Sequence, residues 1–366
     1  MRILILCDVL FPQTTGGAGR VARELGTCFQ RKGHDVHFLT RRVDRALSPP
    51  DINTTYFTPT GGAAASPRGR IFASVLDSFR PDLLLVHQPL GAFLALPSRL
   101  PVPMVYVFHS SWPEEVKVKH SQVPLLIRRL AAPLLTYIER SVLSKASAVV
   151  ALSRYSHFQM QSRYGLSSHI IPGGVDSGRF VPLPRRRSNE SLDLVTLRNL
   201  VPRMGLSELI RSMTLLPDKV RLKVGGKGPL RSRLEQLVAE LGLENRVRLA
   251  GHVADADLPC FYSSADWFIL PTAALEGFGL VVLESLSCGT PVLGTPVGAI
   301  PELLKQFDPA WVMDTPSHES IATAIRKAAA EPPPNREKLH QLVAERYDWS
   351  RIAEQYLKLF QQVISG

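Results

Sequence analysis

The chain has 366 residues, 45% of them hydrophobic and 20% charged. That length suggests about two domains of ~150 residues each, and the balance supports buried cores and excludes a disordered chain. A formal net charge of +11 favours anionic partners such as phosphorylated substrates or acidic lipid surfaces; no RNA-recognition, zinc-knuckle or helix-turn-helix signature accompanies it, so no nucleic-acid partner is expected.

The segment "MRILILCDVLF" is too short and too soon polar for a signal peptide and reads as a first buried strand. In chain order there follow the helix "AGRVARELGTCFQRKG", the strand "DVHFLT", and two apolar strands that each end in histidine, "DLLLVH" and "PMVYVFH". Prolines, His87 and Arg99 interrupt the apolar stretch from Leu83 to Phe108, so no membrane-spanning helix is expected there. The amphipathic "LLIRRLAAPLLTYIERSVLSKA", the strand "AVVALS" and the helix "RYSHFQMQSRYG" complete a first half. Short apolar strands alternating with helices imply a parallel sheet covered on both faces. Cys7, Cys28, Cys260 and Cys288 lack CxxC spacing; most read as small core residues in a reducing compartment.

The stretch Pro172–Ser191 is rich in Pro, Gly and Arg and reads as a junction. After it the alternation restarts: strands "LDLVTLRNL", "VRLKVGG", "VRLAGHV", "DWFILPT" and "TPVLGT" are interleaved with helices "GLSELIRSMTLL", "LRSRLEQLVAELG", "LPCFYSSA" and "LVVLESLSCG". The expected fold class is therefore α/β, with two Rossmann-like doubly wound parallel-sheet domains. Residues 1–175 form the first and 190–349 the second, joined by a linker over 176–189, and a final helix over 350–366 packs back on the first.

The glycines Gly16, Gly17 and Gly19 open the first helix, but about ten residues separate them from the strand core. A dinucleotide loop turns tightly at the strand end, and an acidic residue closes the second strand; here that strand ends "LTRR". A nicotinamide cofactor is excluded. What remains is a loop that brings its backbone near a ligand at a helix N-terminus.

The sharpest signal is "LPTAALEGFGLVVLESLSCGTPVLGT". Glu276 follows an apolar strand, "GFG" precedes a helix start, and Glu284 lies in the second turn of that helix. Backbone amides at a helix start suit a diphosphate, and a carboxylate accepts from sugar hydroxyls, so the pattern reads as a site for a sugar nucleotide.

With these residues the chain resembles the retaining glycosyltransferases of family 4, which have the GT-B architecture of two Rossmann-like domains facing a central cleft. The resemblance spans nearly the whole sequence, through the glycine-rich loop, "HIIPGGVDSGRF", "LVPRMG", "VGGKGPL", "LAGHV", the Glu-x7-Glu segment and "GTPVLGTPVGAIPELL". It implies that Glu276 holds donor-sugar hydroxyls, with Gly277, Phe278, Gly279 and Leu280 around sugar and diphosphate. It also implies Glu284 on the ribose, Gly251, His252 and Val253 near the base, Gly16 and Gly17 toward the donor phosphate or the acceptor, and His109 near the reacting sugar. His87 is left without a role. The family places Arg and Lys on the diphosphate where this chain has Asn199 and Met204; Arg198 and Arg203 each stand one residue earlier. They are expected to supply the missing charge, with Lys227 as a spare. His109, Glu276 and Arg203 form the expected catalytic set.

"HVADAD" contains Asp255 and Asp257 in the spacing of a metal-binding DxD, but Asp257 before "LP" reads as a helix N-cap. No metal and no cofactor are expected. The donor is a UDP- or GDP-linked sugar, and the acceptor is a glycan, lipid or small molecule. Lys117, Lys119, Arg128 and Arg129 read as a contact for an acidic lipid head or as a solvated helix face, on a cytoplasmic protein meeting the inner membrane face peripherally. Two rival readings are a GT-B sugar-nucleotide epimerase and a non-catalytic sugar-nucleotide- or membrane-binding relative.

Overall fold

The computed structural model describes residues 1–12, 16–41, 53–57, 67–119, 125–185 and 191–366. Two compact units divide it: Met1–Gly173 with Trp349–Gly366, and Gly174–Asp348. Both are α/β with parallel sheets.

The first unit holds β1 (Arg2–Cys7), β2 (Asp35–Arg41), β3 (Thr54–Phe57), β4 (Leu83–Val86), β5 (Met104–Phe108), β6 (Ala148–Ala151) and β7 (His169–Ile170). Their order across the sheet is β3-β2-β1-β4-β5-β6-β7. Strands β4 and β5 are buried at every residue, as expected where helices cover both faces of a parallel sheet. The helix Gly17–Arg31 buries Val21, Ala22, Leu25, Cys28 and Phe29, one stripe at helical spacing. The terminal helix Trp349–Ser365 lies on it: Phe360 meets the Phe29 ring edge-on at 5.5 Å, and Lys32 pairs with Glu354 at 2.7 Å.

The second unit holds β8 (Leu192–Leu197), β9 (Val220–Gly225), β10 (Val247–Gly251), β11 (Trp267–Leu270) and β12 (Val292–Gly294), ordered β10-β9-β8-β11-β12. The expected linker over 176–189 is corrected as far as Arg185. Those residues are built into the second unit because their side chains find partners there. Ser177 bonds Asp348, Arg179 pairs with Asp255, Phe180 is buried with its carbonyl accepting from Ser287, and Arg185 pairs with Asp266. The rest of the expected linker, 186–189, lies outside the described residues. Among the cysteines, Cys7, Cys28 and Cys288 are buried, whereas Cys260 is exposed on its short helix.

Candidate active site

In the second sheet the chain leaves β8 outward through β9 and β10, then returns to the other side of β8 with β11 and β12. The crevice beyond the carboxyl ends of β8 and β11 is thus a topological switch point, where open parallel sheets bind ligands. The loops there carry Arg198, Arg203 and Glu276.

Arg198 directly follows β8 and is buried. Its Nη2 donates to Glu276 Oε2 at 2.6 Å and to Thr272 Oγ1 at 3.0 Å, and lies 2.8 Å from Met204 Sδ. The two charged side chains are only 6% and 15% exposed, so the pair is shielded from solvent screening. Arg198 Nε is buried and has no hydrogen-bond partner among the described residues. Met204 packs beneath as an apolar residue, and the cation beside it comes from Arg198.

Arg203 lies in the single turn Pro202–Met204. Its Nη1 donates to the Leu275 carbonyl at 2.6 Å, and its own carbonyl accepts from the Ala273 and Ala274 amides at 2.8 and 3.2 Å. Leu275 has φ +57°, a left-handed conformation that is uncommon for a side chain of this kind. Arg203 therefore braces the strained loop that presents Glu276. Gly205 ends that turn at φ +68°, where an added Cβ would lie 1.7 Å from the Pro271 carbonyl oxygen. Gly298, at φ +62°, allows the loop after β12 to cross Glu276 itself: a Cβ there would meet the Glu276 carbonyl oxygen at 2.2 Å, and the Ala299 amide bonds that oxygen at 2.9 Å. Glu276 is held at both ends, by main chain beneath and by Arg198 at its carboxylate.

Gly279, at φ +93°, starts the helix Leu280–Ser287 and gives it no side-chain cap. Gly277, Phe278 and Leu280 share that approach; the Phe278 ring is buried and stands 6.4 Å from Tyr347. Glu284, on the second turn, is buried and accepts from Tyr262 Oη at 2.6 Å. Gly251, His252 and Val253 lie at and just beyond the end of the edge strand β10; the Gly251 carbonyl accepts from the Gly226 amide at 2.6 Å, and Gly226 in turn packs on the Arg198 carbonyl. Lys227 is exposed, and its carbonyl accepts from the Leu200 amide.

The DxD reading finds Asp255 engaged. Arg179 Nη2 lies 2.7 Å from its carboxylate. Asp257 stands at the N-cap position of the helix Leu258–Ser263, with Pro259 just inside it, but it already has helical backbone angles as part of the turn Asp255–Asp257, and its side chain makes no capping bond. Among the described residues no group of three or more His, Cys, Asp or Glu could hold a metal ion.

The first sheet has its own switch point, between β1 and β4. Gln88 Oε1 ties the ends of these strands together, accepting from the Asp8 amide at 3.0 Å and from Cys7 Sγ at 3.2 Å. Asp8 in turn accepts from the Gly91 amide at 2.5 Å. Burial pushes the Cys7 thiol far up, so it is no nucleophile. His109 follows β5, and its Nε2 lies 3.2 Å from Nδ1 of His87, which follows β4. Burial lowers His109 to about 4 and His87 well below the ordinary histidine value. In the same unit Glu139, pushed up to about 7 by burial, accepts from Tyr164 Oη and from the Trp112 amide at 3.1 Å. Gly16 caps the helix Gly17–Arg31 through its backbone, Gly17 is exposed, and Gln13, Thr14 and Thr15 lie outside the described residues. Lys117 is exposed; the side chains of Lys119, Arg128 and Arg129 are outside the described set.

Sequence reasoning did not find Thr272, Tyr262, Gly298 or Glu139. The first two are buried polar partners that sequence spacing does not distinguish from ordinary core positions, and Gly298 matters through a main-chain crossing. Glu139 sits in an amphipathic helix, where a Glu reads as a solvated charge.

Residues 15–179 match the family model for Glycosyltransferase Family 4, and residues 184–349 match that for Glycosyl transferases group 1. The chain is similar to the GDP-mannose-dependent alpha-(1-6)-phosphatidylinositol monomannoside mannosyltransferase of Mycolicibacterium smegmatis, 32% identical over 53% of this chain and 56% of that protein. Indeed the chain spans about half the length of the first curated relatives it matches. Among solved structures it is similar to sucrose-phosphate synthase from Thermosynechococcus elongatus, with TM-score 0.80 and 22% identity over 100% of this chain and 99% of that one. It is also similar to Anabaena HepE in complex with UDP and glucose, with TM-score 0.77 and 19% identity over 99% and 100% of the chains. The architecture is thus that of GT-B proteins.

Proposed function

This chain belongs to glycosyltransferase family 4, and we propose that it moves a hexose from a nucleoside diphosphate sugar to an acceptor hydroxyl, with retention at the anomeric carbon and without metal. The observation that carries this reading is the Arg198–Glu276 pair at the switch point, 2.6 Å apart. It sets a cation and a sugar-binding carboxylate side by side, next to the uncapped start of the helix Leu280–Ser287. A diphosphate needs positive charge and N–H donors, and the Arg198 guanidinium, whose buried Nε–H has no partner among the described residues, can supply both. Glu276 then accepts from the sugar hydroxyls and Glu284 serves the ribose.

In the reaction the anomeric carbon–phosphate oxygen bond breaks and the acceptor oxygen bonds to the same carbon. The acceptor proton passes to the departing diphosphate. The protein stabilises the developing charge and orients the sugar. Arg203 acts through the loop it braces. Asp255, paired with Arg179, gives no reason to place a metal.

The relative from M. smegmatis is named for a phosphatidylinositol mannoside, and HepE was solved with UDP and glucose. These support a glycolipid acceptor, a GDP- or UDP-linked donor and peripheral contact with an anionic membrane. No helix among the described residues is long and apolar enough to cross one.

The test incubates the protein with UDP-glucose or GDP-mannose, with and without phosphatidylinositol vesicles and EDTA. Sugar transferred to lipid with its anomeric configuration kept, in EDTA, is the expected result. Conversion of the sugar nucleotide without any acceptor would favour an epimerase, and binding without turnover a non-catalytic relative.

A further inference from the structure

His87 has no role in the sequence expectations, yet it is the more buried member of the imidazole pair, at 1% exposure. Its backbone amide bonds the Leu6 carbonyl at 3.0 Å, which ties it to the central strand. The rings of His87 and His109 stand 5.4 Å apart and tilted by 32°, with His87 Nδ1 facing His109 Nε2 at 3.2 Å. Burial keeps both rings neutral at physiological pH. One of the two facing nitrogens must then carry a hydrogen and the other a lone pair.

His87 Nε2 decides which. It is buried with no hydrogen-bond partner among the described residues. If His87 were protonated on Nε2, a buried N–H would be orphaned. With the hydrogen on Nδ1, only a lone pair goes unused. Buried donors without acceptors are the rarer and costlier case. We infer that His87 donates from Nδ1 to His109 Nε2 and so fixes His109 as the Nδ1–H tautomer, a hydrogen-bond donor to a ligand oxygen. His87 is a positioning residue: it touches no substrate and sets which atom of His109 does. His109 Nε2 is occupied by this bond and its Nδ1 carries a hydrogen, so His109 is not a general base at neutral pH. The role of His109 beside a sugar rests on the proposed glycosyl transfer; the tautomer does not.

The test therefore begins without substrate. Long-range proton–nitrogen spectra of the full-length protein with isotope-labelled histidine report the tautomer directly. The expected result is a protonated Nδ1 and a bare Nε2 on His109. Two variants follow. His87→Asn keeps an amide donor near the Nδ1 position and should keep both the tautomer and, within about threefold, the rate of sugar transfer from UDP-glucose or GDP-mannose to phosphatidylinositol vesicles. His87→Leu removes the donor; it should shift His109 toward the Nε2–H form and lower kcat about tenfold with little change in KM. An Nε2–H signal from His109 in the unaltered protein overturns the inference, as does an unchanged tautomer in a folded His87→Leu protein. If neither sugar nucleotide gives sugar transfer to phosphatidylinositol vesicles, the proposed activity fails while the spectra still decide the tautomer.

Discussion

Arg198 and Glu276, 78 positions apart in sequence, meet at 2.6 Å with Arg198 Nη2 donating to Glu276 Oε2. The carboxylate offsets the charge of the guanidinium, so the cation offered to a phosphate is partly neutralised. Glu276→Gln keeps an acceptor for Arg198 and removes that offset. We expect UDP and GDP to bind the variant at least as tightly as the unaltered protein. Turnover should fall by about one to two orders of magnitude, as loss of a charged hydrogen bond to the sugar implies. Calorimetry with the bare nucleotides and initial rates check this, and weaker nucleotide binding would contradict it.

Arg203→Ala should act through the loop. Removing the bond to the Leu275 carbonyl costs about 1 kcal/mol of stability and lets Leu275 relax from its left-handed conformation. The expected outcome is a lower melting temperature and slower turnover, with nucleotide affinity less affected than in Arg198→Ala. If Arg203→Ala instead weakens UDP and GDP about tenfold, its guanidinium reaches the diphosphate directly.

Glu284 is tied to Tyr262 Oη, so nucleotide affinity should respond to Tyr262. Glu284→Ala is expected to weaken nucleotide and nucleoside alike, since ribose is common to both. Tyr262→Phe should cause a smaller loss of the same kind, because the carboxylate stays in place and loses only the hydroxyl that orients it. Paired titrations with uridine and UDP separate this from a phosphate effect, which uridine would not show.

Glu139 gives the first unit a pH dependence. Its carboxyl rises from an ordinary 4.5 to about 7 because burial disfavours the ion. The folded unit therefore holds a proton that the unfolded chain has released. Stability from this group is complete below about 4.5 and declines as pH rises through about 7. Glu139→Gln should flatten that decline; chemical unfolding across the window measures it, and an unchanged slope would refute it.

Much of the fold was legible because its strands are continuous apolar runs: "LLLV" and "MVYVF" read as buried strands once the prolines, His87 and Arg99 between them rule out one long helix. The two-residue β7 and the strand Thr54–Phe57 carry no such run. They form because a neighbouring strand offers an edge. Glu276 and Glu284 were legible from their place between an apolar strand and helix. The direction of Arg198 was not. Its inward turn depends on Thr272 and Met204, which come together only once the loops are folded. Asp257 was legible by position, at the N-cap of Leu258–Ser263, but its missing capping bond was not, since the turn before it is already helical.

At Gly205 and Gly298 one stretch of main chain rests directly on another, with no side chain between them. The scaffold of the candidate site is thus written largely in backbone. Positions that never meet a ligand are therefore among those least able to accept substitution. The Arg198 and Arg203 side chains add to this frame from the rim, holding the Glu276 carboxylate and the Leu275 carbonyl. For anyone altering the candidate site, the glycines are the part to leave alone, and side chains outside these contacts are the part open to redesign.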